Sequence, residues 1–184
     1  MTMAFDPVLT MLPSAFFALL FGIAATHKLM AWRLFQQQVA DYRVLPRFWN
    51  TPAAVAIPAL EVLLALGWLA AATRPYAAGL SAVLLAAYAA AMDWNLAHGR
   101  DTIDCGCGGA DGSQVIRSAL VVRNLVLCVI ATGLGLSTAF VPETGRMPGW
   151  IDWLTVFAGA LVLQGLYVTT NQILANLPPQ RVLD

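Results

Sequence analysis

The chain predicts an all-α fold: a polytopic membrane helical bundle with a four-helix core and a fifth transmembrane helix. Three observations lead there. Hydrophobic residues fill 59% of the 184 positions and charged residues only 11%, where a soluble domain carries about 25%. The apolar residues gather in blocks of the roughly 20 residues that a helix needs to cross a bilayer. Lipid offers the backbone no hydrogen-bond partners, so blocks of that length must satisfy their own N–H and C=O groups as helices.

Taken in order, the spans are residues 9–30, 53–73, 75–97, 117–140 and 150–173 of one integral membrane domain, 1–184. The first does not read as a secretory signal. Such a signal places positive charge before its apolar core, whereas Asp6 precedes this span and His27, Lys28 and Arg33 follow it. A polar connection runs from Ala31 to Thr51, and its Trp32, Tyr42, Phe48 and Trp49 resemble interfacial aromatics. The stretch from Arg33 to Asp41 within it fits a short surface helix. Pro58 predicts a kink in the second span, which also holds Glu61. Asp93 lies near the end of the third, and Arg123, Asn124 and Cys128 lie inside the fourth. The formal net charge is zero, which offers nucleic acid no electrostatic footprint.

Between the third and fourth spans lies Asp104-Cys105-Gly106-Cys107-Gly108-Gly109-Ala110-Asp111-Gly112, with two of the three cysteines. Cysteines one residue apart close only a small ring, while a disulfide prefers a near-right-angle dihedral. A strained, accessible disulfide is easily reduced, and glycines let the loop turn tightly. This favours a redox pair, Cys105 and Cys107. Two other readings stand beside it: a structural or incidental thiol pair, and half of a metal site. A tetrahedral zinc site takes four ligands, usually from Cys-x2-Cys pairs, and the chain has only His27 and His98 to add.

Hairpin parity places His27, Lys28, the 31–51 connection, the cysteine loop and the C-terminal tail on one membrane face. Ionisable groups in a bilayer usually turn inward in pairs. The expectation is a polar cluster of Glu61, Lys28, Arg123 and Asp93 beneath the loop, with snorkelling of Lys28 and Arg123 and a plain helix-end Asp93 as the alternative. Cys128, near mid-bilayer, reads either as a small core hydrophobe or as a third redox thiol. The face with the cysteines carries most of the Lys and Arg residues, so the positive-inside rule puts it in the cytoplasm. Disulfide chemistry asks for the other side. The sequence leaves the orientation open.

Several fragments together resemble the methylamine utilisation protein MauE family, which belongs with DoxX-like membrane proteins. They are Gly22 with Lys28-Leu29, Tyr42-Arg43-Val44-Leu45-Pro46, Pro58 with Glu61, the cysteine motif, and Arg123-Asn124, over about residues 15–135. Related sequences often read Cys-x-Cys-Phe-Gly; here Gly108 replaces the aromatic. The fifth span carries none of these motifs. The resemblance implies a role in maturing methylamine dehydrogenase. The partner would be a thioredoxin-like protein of the MauD type on the periplasmic side, and the client the disulfide-rich small subunit. The site would be a multi-pass protein of the bacterial inner membrane.

The leading expectation is therefore a membrane thiol–disulfide relay. Asp104 and Asp111 disfavour a thiolate there, while Lys28, Arg117 and the start of the fourth helix favour one. No motif specifies a cofactor; a quinone in the bilayer is the candidate electron acceptor, by analogy with the vitamin K epoxide reductase family. Two rivals remain, a non-catalytic scaffold or chaperone for the same maturation and a soft-metal handling protein with thiolate ligands.

Overall fold

The computed structural model describes residues 6–105, 115–140 and 146–176. Within them the chain forms six α-helices: α1 Pro7–Met30, α2 Trp32–Asp41, α3 Arg47–Leu69, α4 Arg74–Ala97, α5 Ser118–Phe140 and α6 Trp150–Asn176, with a 3-10 turn at Ala71–Thr73. Five of these are long and apolar enough to cross a membrane, α2 being the exception. The chain is a multi-pass, all-α membrane protein.

Local chemistry sets the helix starts. Asp6 caps α1, its carboxylate accepting the Val8 N–H at 3.0 Å, and Pro7 follows at the first helical position, where a missing N–H costs nothing. Pro46, with φ −56° and ψ 145°, opens α3 at Arg47, ahead of the apolar run. The helix then continues through Pro52 and Pro58. The first turn of α3 therefore carries Phe48 and Trp49, both exposed, at the depth where aromatics favour the headgroup boundary.

Each spanning helix buries a stripe at helical spacing. On α1 it is Phe17, Phe21, Ala25 and Lys28; on α3, Ala54, Pro58, Glu61, Leu64 and Trp68. On α4 it includes Ser81, Leu85, Met92 and Asn95; on α5, Leu120, Asn124, Leu127 and Ala131. Most of these residues converge on a main core, where Phe17 stacks on Trp68 with centroids 4.9 Å apart and Trp68 donates its indole N–H to Ser81 at 2.9 Å, while Met92 and Leu120 belong to a second cluster. Small residues let α4 and α5 approach closely. A methyl group added at Gly135 would lie 2.8 Å from the Ala78 Cβ, the kind of contact that drives helix association where lipid removes the hydrophobic incentive.

α6 packs chiefly on α1, meets α5 through Asn171 and Tyr167, and leaves most of its outer face exposed. Its inward stripe is Val156, Ala160 and Gln164, and Tyr167 meets Phe16 edge to face. At the membrane end opposite the cysteine loop, Arg146 joins Asp6 at 3.0 Å and Asp152 at 2.7 Å. It thereby ties the start of α1 to the start of α6. Hydrogen bonds to the Val8 amide and to Arg146 hold the Asp6 carboxyl below its usual range. The bonds to Asp152 and Asp6 push the Arg146 guanidinium further from deprotonation.

Candidate functional site

The site is assembled where α1 and α4 end and α5 begins, with α2 lying across and the middle of α3 alongside. Lys28, in the last turn of α1, points inward because it continues the phase of Phe17, Phe21 and Ala25. Glu61 does the same on α3. Their side chains meet with Nζ and Oε1 2.6 Å apart, at 7% and 1% exposure. Tyr88 of α4 donates its hydroxyl to the same Glu61 oxygen at 2.8 Å. The ammonium lies 5.4 Å from the Tyr88 ring centroid and 5.6 Å from that of Phe35, the one buried residue of α2. Two charges removed from water cost several kcal/mol each unless well paired. The carboxylate, the phenol and the two ring faces supply that compensation.

Directly adjoining is a second buried cluster of Met92, Cys105, Ile116 and Leu120. Tyr88 packs against this cluster as well as the main core, so a single side chain links the ion pair to the surroundings of the thiol. Cys105 is 6% exposed. Its carbonyl accepts the Tyr42 hydroxyl at 3.3 Å. An antiparallel bridge between Asp104 and Val115, with the Ile116 N–H on the Ile103 carbonyl at 2.9 Å, holds together the two strands of chain that flank residues 106–114. Tyr42 stands just before Arg43, which ends α2 with φ 49°, a left-handed conformation uncommon for a side chain of that size.

The residues singled out from sequence fall in different places. Lys28 and Glu61 are in contact. Arg123 reaches across to α6, donating to Asn171 at 2.6 Å and to Asn124 at 3.2 Å, and lies 5.4 Å from the Tyr167 ring centroid. Asp93 is exposed; it follows Met92 by one residue, which turns it about 100° away from the buried stripe. Cys128 donates its thiol to the Ala82 carbonyl at 3.3 Å and packs in the main core. It is eight residues beyond Leu120 on α5, roughly 12 Å deeper, whereas a disulfide holds Cα atoms about 4.4–6.8 Å apart. Cys107 and Asp111, and with them any Cys105–Cys107 bond, lie outside the described residues. Among the described residues no three His, Cys, Asp or Glu side chains are grouped to hold a metal.

Three contributors were not singled out: Tyr88, the role of Tyr42, and Asn171. Tyr88 had a signal, since it shares the phase of Ser81, Leu85, Met92 and Asn95. Where α1, α2 and α3 meet, an apolar groove of about 460 Å³ is lined by Leu29, Trp32, Val55, Pro58, Ala59 and Val62.

A model of the family described as methylamine utilisation protein MauE matches residues 6–137. The chain belongs to the MauE family. The match takes in α1 through most of α5 and stops before α6, so the ion pair, Tyr88 and Cys105 all lie within it. The methylamine utilization protein MauE of Paracoccus denitrificans is 37% identical over 158 residues, 82% of this chain and 84% of that one. The MauE proteins of Methylorubrum extorquens and Methylophilus methylotrophus are 35% and 31% identical, covering 90% and 92% of this chain and 92% and 88% of theirs. No solved structure matches.

Proposed function

We propose that this MauE-family protein serves methylamine utilisation as a thiol–disulfide relay in the bacterial inner membrane. In this reading Cys105 and Cys107 cycle between dithiol and disulfide. They exchange with a thioredoxin-like partner of the MauD type, in support of disulfide formation in the small subunit of methylamine dehydrogenase. The observation that carries the reading is the seat of Cys105. It is buried with Met92, Ile116 and Leu120, its carbonyl accepting the Tyr42 hydroxyl, and Tyr88, which packs against that cluster, bonds the buried Lys28–Glu61 pair, a costly feature within a membrane. A scaffold that only holds partners together has no need of a thiol seated in a cluster tied to such a pair through Tyr88.

The test is disulfide trapping in cells that grow on methylamine. Cys105→Ser and Cys107→Ser variants each leave one thiol in the motif. A relay gives a mixed disulfide with a periplasmic thioredoxin-like protein from one of them, and the double serine variant fails to mature methylamine dehydrogenase. Normal maturation with both cysteines replaced would sink the relay and leave the scaffold reading. Copurification of stoichiometric metal, lost in Cys105→Ser, would instead favour soft-metal handling.

A further inference from the structure

The relay makes no use of the groove where α1, α2 and α3 meet. Its hollow has a cause in the sequence. Val55, Ala59 and Val62 recur along α3 at helical spacing and share one exposed face, and the middle residue offers a single methyl group between two larger side chains. Leu29 closes the groove from the end of α1 and Trp32 from the start of α2. The volume of about 460 Å³ lies within the range of small-ligand sites, about 300–1,000 Å³. Leu29, Val55 and Val62 are exposed on helices long and apolar enough to span a membrane, so hydrocarbon is the medium that meets them.

Charge gathers at one end of this groove. Arg33 follows the lining residue Trp32, and Arg47 opens α3 just before Phe48, which stands two turns from Val55 and shares its face. With Arg43 they make three exposed arginines in the 31–51 connection, against one carboxylate, Asp41. Among the described residues none of the three joins an ion pair. The lining itself is of the opposite character. Of its six side chains only Trp32 owns a polar group, an indole N–H. A peptide or a quinone ring brings carbonyl groups that need donors when buried, whereas a hydrocarbon chain asks for none.

We propose that the groove binds one anionic phospholipid, with an acyl chain along Val55, Ala59 and Val62 and the phosphate held by Arg33 and Arg47. Guanidinium forks suit phosphate oxygens, and basic residues beside an amphipathic surface helix favour anionic over zwitterionic lipid. The site does not depend on the relay reading. Its occupant braces α2 against α3, and α2 carries Phe35, whose ring lies 5.6 Å from the Lys28 ammonium.

The test uses the full-length protein, purified in detergent and stripped of lipid, then offered equimolar phosphatidylglycerol and phosphatidylcholine. Native mass spectrometry should show one phosphatidylglycerol retained in preference, and the melting temperature should rise with phosphatidylglycerol but not with phosphatidylcholine or inorganic phosphate. Arg33→Gln and Arg47→Gln should each weaken retention roughly fivefold, the effect of one basic residue at an anionic surface. Ala59→Leu fills the hollow at an exposed position and should abolish retention, while Ala90→Leu, at an exposed alanine of α4, should leave it unchanged. Should Ala59→Leu fail to fold, the two arginine variants decide. Equal retention of both lipids, indifferent to the arginine variants, would mean ordinary boundary lipid and overturn the proposal. Equal stabilisation by inorganic phosphate would reduce the site to an anion site and overturn it too. So would a dimer in place of bound lipid, broken by Ala59→Leu, since a second copy of the chain would then fill the groove.

Discussion

Lys28 and Glu61 are 33 positions apart in the chain, and their charged atoms lie 2.6 Å apart inside the bundle. The pair fastens the end of α1 to the middle of α3. Removing one partner leaves the other charge buried alone, a change that costs about 3–5 kcal/mol. Replacing both by apolar residues of similar size is often close to neutral. Lys28→Met and Glu61→Leu are therefore each expected to destabilise by that amount, and the double variant to recover most of the loss. Thermal unfolding in detergent reads this directly. A double variant as unstable as the worse single would mean that the two residues are held by other neighbours and not by each other.

Arg43 offers a test of how the thiol's neighbour is positioned. Its φ of 49° is one that glycine adopts freely and that costs other residues about 1–2 kcal/mol. Arg43 is exposed, so Arg43→Gly should relieve the strain without opening the core and stabilise the protein by about 1 kcal/mol. The chain holds this conformation next to Tyr42, whose hydroxyl grips the Cys105 carbonyl. The predicted cost of relief is looser control of that contact, visible as faster alkylation of Cys105 in Arg43→Gly than in the parent.

How far the sequence disclosed this arrangement depends on what sets each feature. The spanning helices were legible because bilayer thickness and backbone hydrogen bonding dictate them almost regardless of detail. Glu61 and Lys28 stood out because charge is rare in such segments. Tyr88 did not, although its spacing from Ser81 and Met92 put it on the inward stripe, because an uncharged tyrosine within an alanine-rich apolar span draws no notice. Asp93 shows the reverse. Its charge drew notice, but its place one residue beyond Met92 turns it outward. Arg123 lies one residue before buried Asn124 and reaches Asn171 of α6, a span with no motif to announce a partner. The start of α3 at Arg47 also escaped a reading based on hydropathy, since Pro46 and not apolar content begins that helix.

The Arg146 clamp predicts how acid acts on the far end of the molecule. Asp6 is held below its usual range in the folded protein, first by the Val8 amide and then by Arg146. A carboxyl with a depressed folded value contributes stability above its unfolded value, 3.8, and loses it as pH falls through the folded one. The contribution is small, since the groups face water. Destabilisation should therefore set in only below about pH 4, and Asp6→Asn should flatten that limb. Melting temperatures of parent and variant, measured from pH 6 down to pH 3, check it. Identical acid limbs would show that Asp6 gains nothing from the clamp.

Cys128 supplies the sharpest contrast with Cys105. Its thiol is committed to the Ala82 carbonyl at 3.3 Å, and its neighbours are those of the main core. It sits roughly 12 Å along α5 from Leu120, which packs beside Cys105. Exchange between the two sulfurs would require α5 to slide by about two turns. That motion would pull Leu127 and Ala131 out of the core and separate Gly135 from Ala78. Cys128→Ala should thus leave maturation of methylamine dehydrogenase at the parental level and cost about 1 kcal/mol of stability, the usual net worth of one hydrogen bond. Cys105→Ala, by contrast, should abolish maturation while folding normally. Enzyme activity in methylamine-grown cells, set against the amount of membrane-inserted protein, separates the two. Loss of maturation in Cys128→Ala at normal protein levels would make it a working thiol and require a bundle that rearranges around α5.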